Sequence, residues 1–178
     1  MLTQIRRAII LSVLFAVFLG IAYPLVEVGL ANAIFPTQAR GSITPYGSTE
    51  IGQHWTGTRW FHGRPDVDND EATGGTNLGP RSKVLLNNTK TLVAFWHAQG
   101  VNPTQELVTT SGSEVDPDIS QRSALVQIPM ITRSTGIAPA KLRKLIVANT
   151  SGPQYGIFGD RIVNVLALNR GLAALEGK

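Results

Sequence analysis

The sequence predicts an α+β domain carried on a single N-terminal transmembrane helix. Three observations predict it. One apolar stretch, Ala8 to Val26, holds no charge at all. Beyond it, short β-branched or aromatic runs alternate with helical patterns, broken by Gly, Pro and polar turns. The chain is 178 residues long, which leaves room for one ordinary domain plus an appendage.

Composition narrows the function. Hydrophobic residues at 43% and charged residues at 16% exclude a long disordered or coiled-coil chain. There is no cysteine, hence no disulfide framework, thiolate nucleophile or Cys-ligated metal. The net charge of +4 comes without long basic runs, so nucleic acid is not an expected partner.

The apolar stretch follows Arg6 and Arg7 and ends at Glu27. Its 19 residues make about 28 Å of helix, close to the hydrocarbon thickness of a bilayer. Tyr23 suits the interface, and Pro24 sits where a helix end or kink tolerates it. A cleaved signal peptide is the competing reading, because Ala31-Asn32-Ala33 matches the small-x-small pattern. The apolar run exceeds the length usual for signal peptides, which favours a retained anchor. The domains expected are therefore residues 1–33, cytoplasmic N-terminus and anchor, and residues 34–178, an extracytoplasmic domain. Arg6 and Arg7 before the span, against Glu27 and only Arg40 after it, place the N-terminus in the cytoplasm.

After the anchor, residues 35–48 are turn-rich. Residues 51–61 carry Trp55, Trp60 and Phe61 and are expected to form short strands. Residues 63–82 form a loop rich in Gly, Pro and acids. Lys83 to Gln99 is helical, with Leu85, Leu92, Phe95 and Trp96 on an apolar side and Gly100 as its stop. Residues 107–110 have strand character. Asp118 or Ser120 caps a helix that runs towards Arg133 and is interrupted at Pro129. Ala138-Pro139 opens another, burying Leu142, Leu145 and Ile146 while Lys141 and Lys144 point away. Residues 152–159 are loop, and residues 163–175 close the chain as a strand or, preferably, a helix.

No standard catalytic signature is present. There is no phosphate-cradling G-x-x-x-x-G-K-[ST], no G-x-S-x-G and no H-E-x-x-H, and His54, His62 and His97 are scattered. No catalytic residue and no metal site is expected. Asp66, Asp68 and Asp70 alternate like the start of a calcium loop, but Glu71 and Asn77 stand where such a loop needs Gly and Glu. The bland alternative is a solvated acidic loop.

Two segments invite a functional reading. Gly74-Gly75-Thr76-Asn77-Leu78-Gly79-Pro80 permits positive φ and close backbone approach, and its N–H groups could hold an anion; a tight structural turn is the simpler and favoured reading. Ser111-Gly112-Ser113-Glu114-Val115-Asp116-Pro117 precedes a helix N-terminus and could be a ligand or docking loop. Its acids repel phosphate, and an Asx-turn with a helix cap is the plain alternative.

At these motifs the chain resembles a known family, the C subunits (KdpC) of the Kdp potassium-transporting ATPases. The likeness runs through the span with its proline, Phe61-His62-Gly63-Arg64-Pro65, the two segments above, and Arg161-Ile162-Val163-Asn164-Val165-Leu166-Ala167-Leu168-Asn169, in that order. Asp66 and Thr76 stand where the family often has serine, and Glu114 where it often has glycine. The resemblance implies an accessory subunit of an ATP-driven potassium uptake complex in the bacterial inner membrane. Its partners would be a potassium-channel-like subunit, a P-type ATPase subunit and a small single-span subunit. It would assist assembly and raise the ATP affinity of the ATPase subunit. Ser111, Gly112, Ser113 and Asp116 would form a nucleotide-linked or docking loop. Arg64, Gly74, Gly75, Asn77 and Gly79 would form a structural or partner loop. No cofactor is expected to bind tightly; ATP would act through the partner, and potassium would be the cargo. The sequence lacks the Asp-Lys-Thr-Gly-Thr phosphorylation motif, so it is not expected to be an enzyme. An alternative keeps the anchor but makes the outer domain an independent ligand-binding domain or enzyme.

Overall fold

The computed structural model describes residues 1–66 and 73–177. The chain divides into two units, Met1–Ile43 and Thr44–Lys178. The architecture is mixed α+β with small sheets, as the sequence predicts.

The first unit is a helical rod. It comprises α1 (Leu2–Val17), a π-helical turn at Phe18–Ala22, and α2 (Tyr23–Ile34). Together these form one helix of 33 residues with its apolar side chains exposed. Its length is about 50 Å, ample for a bilayer crossing. The π turn has a local cause. Pro24 carries no N–H and its ring crowds the preceding turn. The ladder adjusts just before it: the Tyr23 N–H reaches back five residues to the Phe18 carbonyl. The helix continues past Glu27, so Ala31-Asn32-Ala33 lies within α2.

Two short strands follow in the chain, β1 (Ile43–Thr44) and β2 (Gly47–Ser48), which form a two-stranded hairpin. Three more strands, β3 (Asp118–Ser120), β4 (Thr150–Ser151) and β5 (Ile162–Asn164), build an antiparallel sheet in the order β3-β5-β4. Ile119 pairs with Val163, and Val163 with Thr150. Ile119 and Val163 point into the core while their neighbours are less buried, the period-two alternation of a half-buried sheet.

Five helices surround this sheet, each with a readable start. In α3 (Lys83–Ala98), the Ser82 side chain accepts from the Leu85 N–H, and Gly100 at φ 66° leads the chain away after the helix. In α4 (Gln121–Leu125), the Ser120 hydroxyl caps the Ser123 N–H. Pro129 lies in the first turn of α5 (Ile128–Thr135), so the expected interruption separates two helices. Pro139 opens α6 (Pro139–Ala148), which buries Leu142 and Ile146 completely. Asn164 caps α7 (Val165–Leu175) through the Ala167 N–H. Residues 163–175 thus hold both elements weighed from sequence: a strand end, then a helix. The core gathers Phe61, Trp96, Leu107, Met130, Ile131, Leu168 and Leu172 from these elements.

Two expectations are corrected. Residues 51–61 form no strand, and residues 107–110 form none either; a 3-10 turn covers Gln105–Leu107 instead. Leu107 is buried as an apolar anchor, but its carbonyl accepts from the Trp96 indole N–H at 2.9 Å and is not used in a ladder. Hydrophobicity marked burial correctly there; it did not mark pairing.

Candidate functional site

The site begins at the extended segment around Phe61. Two fully buried side-chain amides hold its backbone in place of a neighbouring strand. Asn169 on α7 accepts from the Phe61 N–H at 2.9 Å and donates to the Phe61 carbonyl at 2.8 Å. Gln127, between α4 and α5, accepts from the His62 N–H at 2.8 Å and donates to the His62 carbonyl at 3.0 Å. Every backbone polar group of residues 61 and 62 is thereby satisfied, as burial requires.

This fixed segment aims Arg64 and Asp66 at the 110–116 loop. The Arg64 guanidinium donates to the Thr110 carbonyl at 2.9 Å. Asp66 accepts from the Ser111 N–H at 2.7 Å, the Ser111 hydroxyl at 3.0 Å and the Asp116 N–H at 3.1 Å. The glycine segment closes on the same loop. The Gly74 N–H and the Thr73 hydroxyl both donate to the Ser113 carbonyl. A Cβ on Gly75 would lie 2.9 Å from the Gly112 carbonyl oxygen, so only glycine permits this approach. On the far side, the Gly52 N–H donates to the Val115 carbonyl at 2.8 Å. Asp116 then makes an Asx-turn to the Asp118 N–H, and Ser120 caps α4.

The structure therefore brings together Arg64, Gly74, Gly75, Ser111, Gly112, Ser113 and Asp116. Asn77 and Gly79 belong to a neighbouring turn instead. Asn77 has φ 54°, and the Gly79 carbonyl accepts from the Ser82 N–H at the entry to α3. The Gly74 N–H is already engaged by a peptide carbonyl, so it is not an open anion site. Asp68 and Asp70 lie outside the described residues. Asp66 binds backbone and hydroxyl groups, and among the described residues no cluster of three or more His, Asp or Glu could hold a metal ion.

Beside the junction is a cavity of about 370 Å³, walled by Trp55, Phe95, Trp96 and Leu107 and edged by His62, Arg64, Glu114 and Asp116. Trp96 stands edge-on to both His62 and Phe95. Three buried polar atoms on the lining residues have no hydrogen-bond partner among the described residues: Trp55 Nε1, Arg64 Nε and Glu114 Oε1. Each such atom costs about 1–3 kcal/mol when left unmatched. Glu114 also has φ 59°, a left-handed conformation that costs a non-glycine residue about 1 kcal/mol.

Among the described residues of the second unit, three ionisable groups are displaced from their ordinary values. Burial lowers His62, against the opposing hydrogen bond to the Gly57 carbonyl at 2.8 Å; the nearby His54 lowers it further. Burial works to raise Glu106, but hydrogen bonds from Ser123 and Ser120 and the Arg64 charge outweigh it, so the carboxyl is held below its usual range. Burial raises Asp118, against the Asn164 hydrogen bond and with help from the Asp116 and Glu50 charges.

Sequence reasoning missed the organising residues. Asp66 entered as part of an acidic alternation and as a departure from the resembling family, without a role, and Asn169 and Gln127 were not singled out. For Glu114 a signal existed: glycine at that place in the resembling family marks a backbone that needs positive φ.

Fold and site together define a class of protein: an α+β domain behind one long apolar helix, built on a buried polar junction beside an aromatic cavity. Comparison with known proteins narrows it. The family model for KdpC, the K+-transporting ATPase c chain, matches residues 5–174. The potassium-transporting ATPase KdpC subunit of Gloeobacter violaceus is 43% identical over 185 residues, covering 99% of this chain and 97% of that protein. The KdpC subunit of Methylobacterium nodulans is 39% identical over 201 residues, covering 100% of both, and that of Acidobacterium capsulatum is 37% identical over 177 residues, covering 94% and 96%. The chain belongs to the KdpC family of potassium-transporting ATPase subunits.

Proposed function

We propose that the chain is a non-catalytic accessory subunit that assists assembly of the potassium-transporting complex and tightens ATP binding by its ATP-hydrolysing partner without binding the nucleotide itself. The observation that carries this reading is the KdpC match along residues 5–174 together with the internally occupied 111–116 loop. The Ser111 N–H and hydroxyl both donate to Asp66. A nucleotide phosphate would have to displace that carboxylate while approaching Glu114 and Asp116, and like charge opposes it.

The proposed setting is the bacterial inner membrane, with the N-terminus cytoplasmic and the main domain extracytoplasmic. Arg6 and Arg7 on one flank of the helix support that orientation. The partners are the channel-like subunit, the P-type ATPase subunit and the small single-span subunit. In the membrane, the helix packs on partner helices through Phe18, Gly20 and Ala22, which all lie in the π-helical turn. The influence on ATP is then a coupling free energy of about 1–3 kcal/mol, equivalent to about 5- to 150-fold in affinity.

The test is the dissociation constant of a non-hydrolysable ATP analogue for the complex with and without this subunit. The reading expects tighter binding when the subunit is present. An unchanged constant contradicts it, as does photolabelling of this chain alone by an ATP analogue that is lost in the Ser111→Ala, Ser113→Ala double variant.

A further inference from the structure

The hairpin that joins β4 to β5 ends in an apolar tip. Its strands pair Thr150 with Val163 and Ser151 with Ile162. Further out, the Gln154 N–H donates to the Phe158 carbonyl at 2.8 Å, and the Phe158 N–H to the Gln154 carbonyl at 3.0 Å. These bonds close the turn and leave three large side chains in water: Tyr155 at 86% exposure, Ile157 at 76% and Phe158 at 64%. Among the described residues they are the three most exposed large apolar side chains of the second unit. Tyr155 also has φ 54°, a conformation that glycine adopts with less strain. Single exposed apolar residues are ordinary, but three on one closed tip mark a contact surface.

Charge and tether length indicate what covers it. Residues 143–162, from the second half of α6 through the hairpin, hold three cations, Arg143, Lys144 and Arg161, and one acid, Asp160. All three cations are exposed, and none has an ion-pair partner among the described residues. Residues 35–43 lie between the end of α2 and Thr44, and fully extended they reach only about 35 Å. A bilayer crossed by the long helix therefore stays at high effective concentration for the second unit. We infer that the hairpin tip docks into the interface of an anionic bilayer, its apolar side chains among the upper acyl chains and its cations at the lipid phosphates. An apolar tip flanked by cations is the composition of a membrane-surface contact. The amphipathic Tyr155 ring suits the headgroup level, and each cation is attracted by anionic lipid. The inference rests on the membrane anchor of the proposed function and adds a second, reversible contact to it.

The chain has no cysteine, so Ile157→Cys takes a single bimane fluorophore at an exposed position. The labelled full-length chain is placed in phosphatidylglycerol–phosphatidylcholine vesicles, alone and assembled with its partner subunits. Two quenchers are compared: a lipid carrying a nitroxide high on its acyl chain, and a water-soluble nitroxide. The lipid nitroxide is expected to quench more strongly than the aqueous one in both preparations. Arg161→Gln is expected to lower the docked-to-free ratio about fivefold, and the Tyr155→Ser, Phe158→Ser double variant at least about tenfold. Quenching by the aqueous nitroxide alone overturns the inference, as does lipid quenching that neither variant changes. Protection from both quenchers, seen only in the assembled complex, also overturns it, because the tip then sits in a groove of a partner protein. Alkaline extraction of the vesicles tests the anchor separately. A chain that resists extraction but shows no lipid quenching overturns the docking alone; a chain that is released overturns the anchor and the docking with it.

Discussion

Asn169 grips the peptide of Phe61 on both sides, accepting its N–H at 2.9 Å and donating to its carbonyl at 2.8 Å. Both residues are fully buried, and 108 positions separate them. One carboxamide thereby does for an isolated extended segment what a neighbouring strand does in a sheet. The segment it anchors carries Arg64 and Asp66 to the 110–116 loop, so the packing of α7 and the geometry of the junction are linked.

Asn169→Leu keeps the volume and leaves a buried N–H and a buried carbonyl unpaired. The expected cost is about 3 kcal/mol, seen as a lowered Tm of the purified chain. A Tm within a degree of the parent would show that the pair is dispensable.

Gly74 and Gly75 are adjacent but differ sharply. A Cβ on Gly74 meets nothing within 4 Å, whereas one on Gly75 meets the Gly112 carbonyl oxygen at 2.9 Å. Gly75→Ala should destabilise by about 1–3 kcal/mol, while Gly74→Ala stays within about 0.5 kcal/mol. Equal effects in denaturant titrations would refute the close approach.

Asp66→Ala removes the acceptor of Ser111 and Asp116. Hydrogen exchange at those two amides is expected to speed up about tenfold to a hundredfold, because hydrogen bonds to a charged group are among the stronger ones. Exchange that stays at parental rates would mean the loop holds itself.

The fold was legible wherever a local rule decided it. Ser120 and Pro139 marked helix starts, and Pro129 a break, because caps and prolines act on their own turn. The long helix was legible from apolar length alone. Residues 51–61 were misread because β-branched and aromatic content reports burial, while strand identity needs a partner strand; here Phe61, at the end of the run, is held by the side chain of Asn169, far along the chain. The loop segments of the site, 74–79 and 111–116, were visible through their glycines and hydroxyls. Their mutual closure, and the role of Asp66 between them, depends on long-range contacts that no local pattern encodes.

Stability should fall towards mild acid. His62 is held below its ordinary value of 6.5, so the fold prefers its neutral ring. That contribution is fully present above pH 6.5 and is lost as pH falls through the lower folded value. Glu106 is also depressed, so its contribution is present above its ordinary 4.5 and lost further into acid. Asp118, raised by burial, works the other way: its contribution is present in acid and lost as pH rises through its folded value. Between pH 7.5 and 5.5 the His62 effect should dominate. The expected result is a Tm that falls over that range and a shallower fall in His62→Gln. Parallel slopes in the two proteins would exclude His62 as the cause.

The proposed placement of the domain outside the cytoplasm underlies the whole functional account, because it would separate this chain from cytoplasmic ATP. The native sequence has no cysteine, so a single introduced thiol reports on its own side of the membrane. Lys141→Cys, on the exposed face of α6, and Gln4→Cys, before the span, should be compared with a membrane-impermeant maleimide on spheroplasts expressing the full complex. The account predicts labelling of Lys141→Cys in intact spheroplasts and of Gln4→Cys only after lysis. The reverse pattern would contradict it.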